Sequence, residues 1–234
     1  MLCIPICAST TEAAVAQMGQ AYPLADCLEL RIDQIKDCDL EQLMHGKRPG
    51  TKILVTNRRK DEGGGFRGSE HERIALLKEA VALGADFVDI EARTAKPLLR
   101  ELKAEIKKHG SRTKLIISFH DLKKTPAAGA LQKRLNACSK MGAHIVKICT
   151  YARAMEDNLR VLGLIPYARK KGQAIIAFCM GDKGRISRVM APLLGSYLSY
   201  ASLDKGTESA PGQLTIGETR EILKILHAAD TEER

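Results

Sequence analysis

The chain has 234 residues, 44% of them hydrophobic and none tryptophan, with a formal net charge of +9. That length and apolar share support a sizeable aliphatic core without staples, and seven cysteines, an odd number lacking any Cys-x-x-Cys pair, argue against a disulfide framework or a zinc site. The basic residues are scattered (Arg58-Arg59-Lys60, Lys107-Lys108, Lys123-Lys124, Arg169-Lys170-Lys171) with no aromatic-interleaved stripe, which argues against nucleic acid and leaves an anionic substrate as the natural partner.

The first apolar run, 2–7, is followed by Ala8-Ser9-Thr10-Thr11 and not by a glycine-rich phosphate turn. Residues 11–21 fit a helix, 26–33 a strand, 39–45 a short helix and 52–57 a strand. Residues 70–83 carry Ile74, Leu77 and Val81 at helical spacing and close on Gly84. Strand 87–91 precedes a helix over 96–108, and strand 114–120 precedes one over 128–141. Strand 145–149 leads into a helical stretch, 153–171, which Pro166 should kink or split. Strand 174–180, helix 184–194, strand 197–201 and helix 216–227 complete the pattern. Eight strands alternating with helices predict an α/β chain folded as a single-domain (β/α)8 barrel over 1–229, with 230–234 a frayed tail. The missing glycine-rich turn disfavours an open doubly wound sheet. No window reaches membrane-spanning length and no leader opens the chain, so a cytoplasmic protein with reduced, mostly buried cysteines is expected, with no membrane partner.

A barrel builds its active site at the C-terminal ends of its strands, and here those ends are ionisable. Strand two closes as Glu29-Leu30-Arg31-Ile32-Asp33, whose alternation puts the three charges on one face. Strand three ends Thr56-Asn57-Arg58, strand four Asp89-Ile90-Glu91, and strand five Ser118-Phe119-His120-Asp121. Lys147 sits among the apolar residues of 145–149. Taken singly, each is compatible with a core salt bridge or a solvated strand end, and Lys147 with a lysine that snorkels to water. Taken together, the types cohere. A desolvated lysine can lose its proton and attack a carbonyl. A histidine can move protons near neutrality, and a carboxylate such as Glu91 can orient it. Arginines such as Arg31, Arg58 and Arg188 can grip a carboxylate with paired N–H donors. Strand periodicity turns Arg58 inward with Thr56, ahead of the adjacent Arg59. The glycines of Glu62-Gly63-Gly64-Gly65-Phe66 suit either a loop crossing a site or a plain turn. Residues 204–213 read as either a lid or a surface loop.

These motifs, in this order, resemble the type I 3-dehydroquinate dehydratase family. The matching pieces are Glu29 to Asp33, Thr56-Asn57-Arg58 through Glu62-Gly63-Gly64, Asp89-Ile90-Glu91, and Ser118 to Asp121. They continue with Val146-Lys147, Met180-Gly181 with Ile186-Ser187-Arg188, and Ser209-Ala210-Pro211-Gly212-Gln213.

The resemblance implies a (β/α)8 barrel, commonly dimeric, that needs no metal or cofactor. It implies dehydration of 3-dehydroquinate to 3-dehydroshikimate in the shikimate pathway of aromatic amino acid biosynthesis. Lys147 then stands for the Schiff-base lysine, His120 for the general acid/base, Glu91 for the carboxylate that orients it, and Arg188 for the arginine on the substrate carboxylate. Glu29, Arg31, Arg58, Ser209 and Gln213 stand for residues that hold the ring hydroxyls and close the lid. Glu62, Met180 and Tyr200 are further candidates at the wall of the site. Phe178 and Tyr200 depart from the family pattern, which has methionine and phenylalanine there. The rivals weighed are a Schiff-base aldolase barrel, which the lack of a phosphate site disfavours, and a non-catalytic polyanion-binding barrel, which the scattered charge disfavours.

Overall fold

The structure, a computed structural model, describes residues 1–228; the tail assigned to 230–234 lies outside them. Eight strands carry the architecture: β1 (Leu2–Ile6), β2 (Cys27–Arg31), β3 (Lys52–Thr56), β4 (Phe87–Glu91), β5 (Lys114–Asp121), β6 (Ile145–Tyr151), β7 (Ala174–Met180) and β8 (Ser199–Tyr200). They pair in parallel in the order β7-β6-β5-β4-β3-β2-β1-β8. The ring is nearly closed by the Tyr197 N–H, which donates to the Ile175 carbonyl at 2.7 Å. Around it run α1 (Thr11–Ala21), α2 (Leu40–His45), α3 (Glu70–Ala82), α4 (Lys96–Lys108), α5 (Ala128–Lys140), α6 (Asp157–Leu162), α7 (Leu164–Arg169), α8 (Arg185–Leu193) and α9 (Ile216–Ala228). The chain is therefore an α/β barrel of the (β/α)8 type.

Strand alternation divides the apolar residues between two cores. Ile4, Leu28, Leu30, Val55, Val88, Ile117, Val146 and Ile175 face outward and pack beneath the helices. Cys3, Cys27, Leu54, Phe87, Ile116, Ile145, Ile176 and Leu198 face inward and fill the lumen. The polar layer that forms the site sits in that lumen, toward the C-terminal ends of the strands.

Three local features differ from the expected pattern for identifiable reasons. The helical stretch after β6 breaks at Gly163, and Pro166 lies in the first turn of α7, where its missing N–H costs nothing. β8 is only two residues long. That shortness accommodates Pro5 in β1: the Cys3 carbonyl accepts from Ala201 N–H, so the same side of Pro5, two residues on, falls beyond the end of β8. Cys7, expected to be buried, is half-buried because it follows the last residue of β1 at the barrel mouth; Cys38 is also half-buried, and the other five cysteines are buried. Among the described residues no helix is long and apolar enough to cross a membrane.

Candidate active site

Lys147 projects from the middle of β6 into the lumen and is buried. Its Nζ donates to the Tyr200 hydroxyl at 2.8 Å and to Asp89 Oδ2 at 3.1 Å, and lies 3.5 Å from Glu29 Oε1. Burial opposes the charged form, but Glu29 and Asp89 outweigh it, so the amine binds its proton more tightly than an ordinary lysine. The expectation of a lysine made neutral by desolvation is thus corrected: two carboxylates from β2 and β4 stabilise the ammonium.

His120, near the end of β5, is half-buried, and its Nδ1 lies 2.9 Å from Glu62 Oε2. The same oxygen accepts the His120 backbone N–H at 3.0 Å. Burial, with Arg58 and Lys147 close by, pushes the imidazole well below its usual pKa and keeps it neutral. The carboxylate that orients the histidine is therefore Glu62 and not Glu91. Glu62 reaches the ring because the chain folds back after β3. A single helical turn, Lys60–Glu62, ends on Gly63 at φ +87. Gly64 then passes so close to Arg58 that a Cβ there would lie 1.9 Å from the Arg58 carbonyl oxygen. The glycine-rich stretch is thus a loop that crosses the site. Burial raises the Glu62 carboxyl to about 7, with Arg58 opposing and Glu91 adding to the shift.

Glu91 sits one layer away from the cavity, within an ion-pair chain. Arg58 Nη1 donates to Glu91 Oε1 at 2.9 Å, the Arg59 backbone N–H donates to the same oxygen at 3.0 Å, and Arg73 Nη1 pairs with Oε2 at 2.8 Å. Arg73 comes from α3 and also donates to the Asn57 carbonyl and to Thr94, closing the chain from outside the barrel. Arg58 turns inward, with Nη2 2.8 Å from Asp89 Oδ2, whereas Arg59 pairs with Asp61 and Glu70 outside. Asp89 also accepts from Ser118 Oγ at 2.6 Å. Although burial works against its charge, Arg58 and Lys147 hold its carboxyl far below the usual range. Arg31 is held by Asp33 through two bonds of 2.9 and 2.8 Å, and Glu29 accepts from Thr56 at 2.8 Å.

Arg188, on α8, is the contrasting cation. It is buried, stacks 4.5 Å over the Phe178 ring and donates only Nη2, to the Pro211 carbonyl at 3.3 Å. Its Nε and Nη1 have no partner, and among the described residues no carboxylate pairs with it. Burial pulls its pKa down to about 10. An unpaired buried guanidinium is costly unless a ligand anion completes it. The segment 209–213 covers this end of the cavity. Gln213 Nε2 donates to Ser209 Oγ at 3.0 Å, and the Gly181 N–H donates to the Pro211 carbonyl at 3.0 Å. Gly212 lies so near Gly181 that a Cβ would meet its carbonyl oxygen at 2.3 Å.

The resulting cavity, about 180 Å3, suits a small molecule. It is lined by Glu29, Arg31, Arg58, Glu62, His120, Lys147, Met180, Arg188, Tyr200, Ser209 and Gln213, together with Leu122, Cys149, Phe178, Ala210 and Pro211. Of the residues to which the resemblance gives a place in the site, Glu91 alone stands outside this lining. Sequence reasoning missed Asp89 as a partner of the lysine, although it shares the inward face of β4 with Phe87 and Glu91. It also missed Arg73, for which a helix pattern offers no signal.

Fold and site together define a (β/α)8-barrel enzyme. The family model of type I 3-dehydroquinase matches residues 2–230; the chain belongs to that family and is a hydro-lyase. A 3-dehydroquinate dehydratase from Syntrophobacter fumaroxidans is 38% identical over 214 residues, covering 88% of this chain and 89% of its own length. One from Methanocaldococcus jannaschii is 36% identical over 227 residues, covering 97% and 99%. The crystal structure of 3-dehydroquinate dehydratase from Geobacillus kaustophilus superposes with a TM-score of 0.88 at 25% identity, covering 97% of this chain and 91% of that one.

Proposed function

We propose that the chain converts 3-dehydroquinate to 3-dehydroshikimate and water through an imine on Lys147, with His120 as acid and base, in the shikimate pathway of the cytoplasm and as a homodimer. The observation that carries this reading is the placement of a buried lysine amine and a histidine held by a carboxylate in one cavity with an arginine that lacks a counterion.

The substrate carboxylate completes Arg188, which holds the ring in one orientation over Lys147. Attack on the ketone needs the neutral amine, so a proton must first leave Lys147, and the neutral His120 is the base available. Once the imine forms, Glu29 and Asp89 favour its protonated state as they favoured the ammonium. The iminium is an electron sink, and this is where two carboxylates beside the nitrogen serve the reaction. His120 then takes the proton from the neighbouring carbon, leaving an enamine. Glu62 against Nδ1 fixes the ring proton on that side, so Nε2 is the base, and it stabilises the imidazolium that results. The imidazolium protonates the departing hydroxyl, and hydrolysis returns Lys147. Glu29, Arg31, Arg58, Ser209 and Gln213 hold the ring hydroxyls and keep the lid closed.

Borohydride added during turnover of 3-dehydroquinate, followed by peptide mass mapping, tests the reading. A stable adduct on Lys147, lost together with activity in Lys147→Ala, is expected. Turnover without an adduct on that residue would sink the mechanism.

A further inference from the structure

We propose that Tyr200 is a catalytic residue of imine formation: its phenol relays a proton from the Lys147 nitrogen to the oxygen that the substrate ketone loses. The proposal rests on the imine reading above and adds a group that the reading does not use.

Tyr200 ends β8 beside Cys3 of β1, and its ring stands edge-on to Phe178, with centroids 5.7 Å apart. The hydroxyl is the shortest of the three contacts to Lys147 Nζ, at 2.8 Å, and the nitrogen lies 4.5 Å from the ring centroid. The phenol oxygen accepts from the ammonium, yet among the described residues the phenol donates its own proton to no acceptor. It retains that proton: burial, reinforced by Glu29, raises its pKa well above that of a free tyrosine. A donor with no protein partner, in contact with the reacting nitrogen, is directed at whatever binds there.

The chemistry supplies the acceptor. When the neutral amine adds to the ketone, a C–N bond forms and the carbonyl pair moves onto oxygen, leaving a positive nitrogen and a negative oxygen on one carbon. Direct proton transfer between them would pass through a strained four-membered ring. A hydroxyl touching the nitrogen reaches the oxygen too, because two substituents of one tetrahedral carbon lie closer together than a hydrogen bond is long. The phenol takes the N–H proton and gives its own to the oxygen, and the tyrosine is unchanged. The oxygen still needs a second proton to leave as water, and the proton that His120 first took from the ammonium supplies it. The nitrogen lone pair then closes the C=N bond as the C–O bond breaks, so ammonium plus ketone gives iminium plus water.

The test is Tyr200→Phe, which keeps the ring and its contact with Phe178 and removes only the oxygen. Rapid mixing with 3-dehydroquinate, quenching with borohydride and weighing the Lys147 peptide read the rate at which the adduct forms. The wild type should form the adduct, and the variant should form it about tenfold or more slowly at neutral pH, within the range for a lost acid–base group. Dehydration within the formed adduct, read as the mass ratio of substrate-derived to product-derived Lys147 peptide, should proceed at the wild-type rate, whereas hydrolysis of the product imine, which runs the relay in reverse, should slow with adduct formation. An oxygen that merely held the ammonium would act in the opposite sense, since its loss would free the amine and speed the adduct. An equal or faster rate in the variant therefore overturns the relay. A wild type that turns over without any adduct on Lys147 overturns the imine reading itself, and the relay with it.

Discussion

Glu62 serves catalysis at a cost in stability. Burial lifts its carboxyl to about 7 from an ordinary 4.5, a gap that corresponds to about 3 kcal/mol. A carboxyl raised in the folded state contributes stability below pH 4.5, and that contribution is lost as the pH climbs to about 7. Glu62→Gln should therefore be more stable than the wild type above pH 7 and equal to it near pH 4, read by chemical denaturation at the two pH values. Its turnover should fall about a hundredfold, because the imidazolium loses its carboxylate. A variant that is no more stable at pH 8, or equally active, would contradict this account. By the same coupling, wild-type kcat/KM should decline below about pH 7 as the Glu62–His120 pair takes up a proton. Arg188 is a separate case: its Nε and Nη1 are unpartnered and wait for an anion. Arg188→Lys keeps the charge but loses the planar fork, so KM should rise about tenfold while kcat changes far less. An unchanged KM would assign the substrate carboxylate to another arginine.

At the scale of elements, the loop after β3 is as constrained as any strand. Gly64→Ala would drive a Cβ into the Arg58 backbone, displacing the turn that carries Glu62 to His120. A shift of that kind should cost about a hundredfold in kcat, together with a lowered melting temperature. Gly19→Ala is the control: it is exposed on α1, its Cβ meets nothing within 4 Å, and it should raise stability by about 0.5–1 kcal/mol without touching activity. Equal behaviour of the two variants would mean that the loop does not need its glycine. This loop also marks where the chain stops being readable as sequence. Strand alternation makes Glu29, Arg31, Arg58 and Lys147 legible as inward residues, because three lie on strands of period two and Arg58 continues the alternation of β3 two residues past its end. Glu91 shares that regularity and so looks like a partner for His120, while Glu62 reaches the histidine only through a left-handed glycine and a backbone crossing that periodicity does not encode. The charge state of Lys147 was hidden for a related reason. Its burial is written in residues 145–149, but Glu29 and Asp89 come from strands far away in the chain, and only the closure of the barrel brings them to the nitrogen.

At the scale of the whole molecule, the homodimer proposed above has a candidate face on the outside of α6 and α8, where apolar side chains are exposed. Leu159 on α6 is 72% exposed, Met155 just before that helix 53%, and Ile186 on the adjacent α8 47%. A second copy of the chain packing across a two-fold axis would cover this face, and each residue would then be buried twice. Burying Leu159 once is worth about 1.5–3 kcal/mol, so the pair contributes at least about 3 kcal/mol, or roughly two orders of magnitude in dissociation constant. Leu159→Lys removes that term and adds a positive charge to the face of each copy. Sedimentation should show a wild-type dimer and a variant that dissociates at micromolar concentration. Lys147, His120, Glu62 and Arg188 meet in the cavity of a single chain, so the dissociated variant should still form the Lys147 adduct and turn over, with its loss confined to thermal stability. A monomeric wild type, or a dimer indifferent to the substitution, would place the interface elsewhere or remove it. Activity that disappears on dissociation would mean instead that the partner holds α6 and α8, and through α8 the arginine on which substrate binding depends.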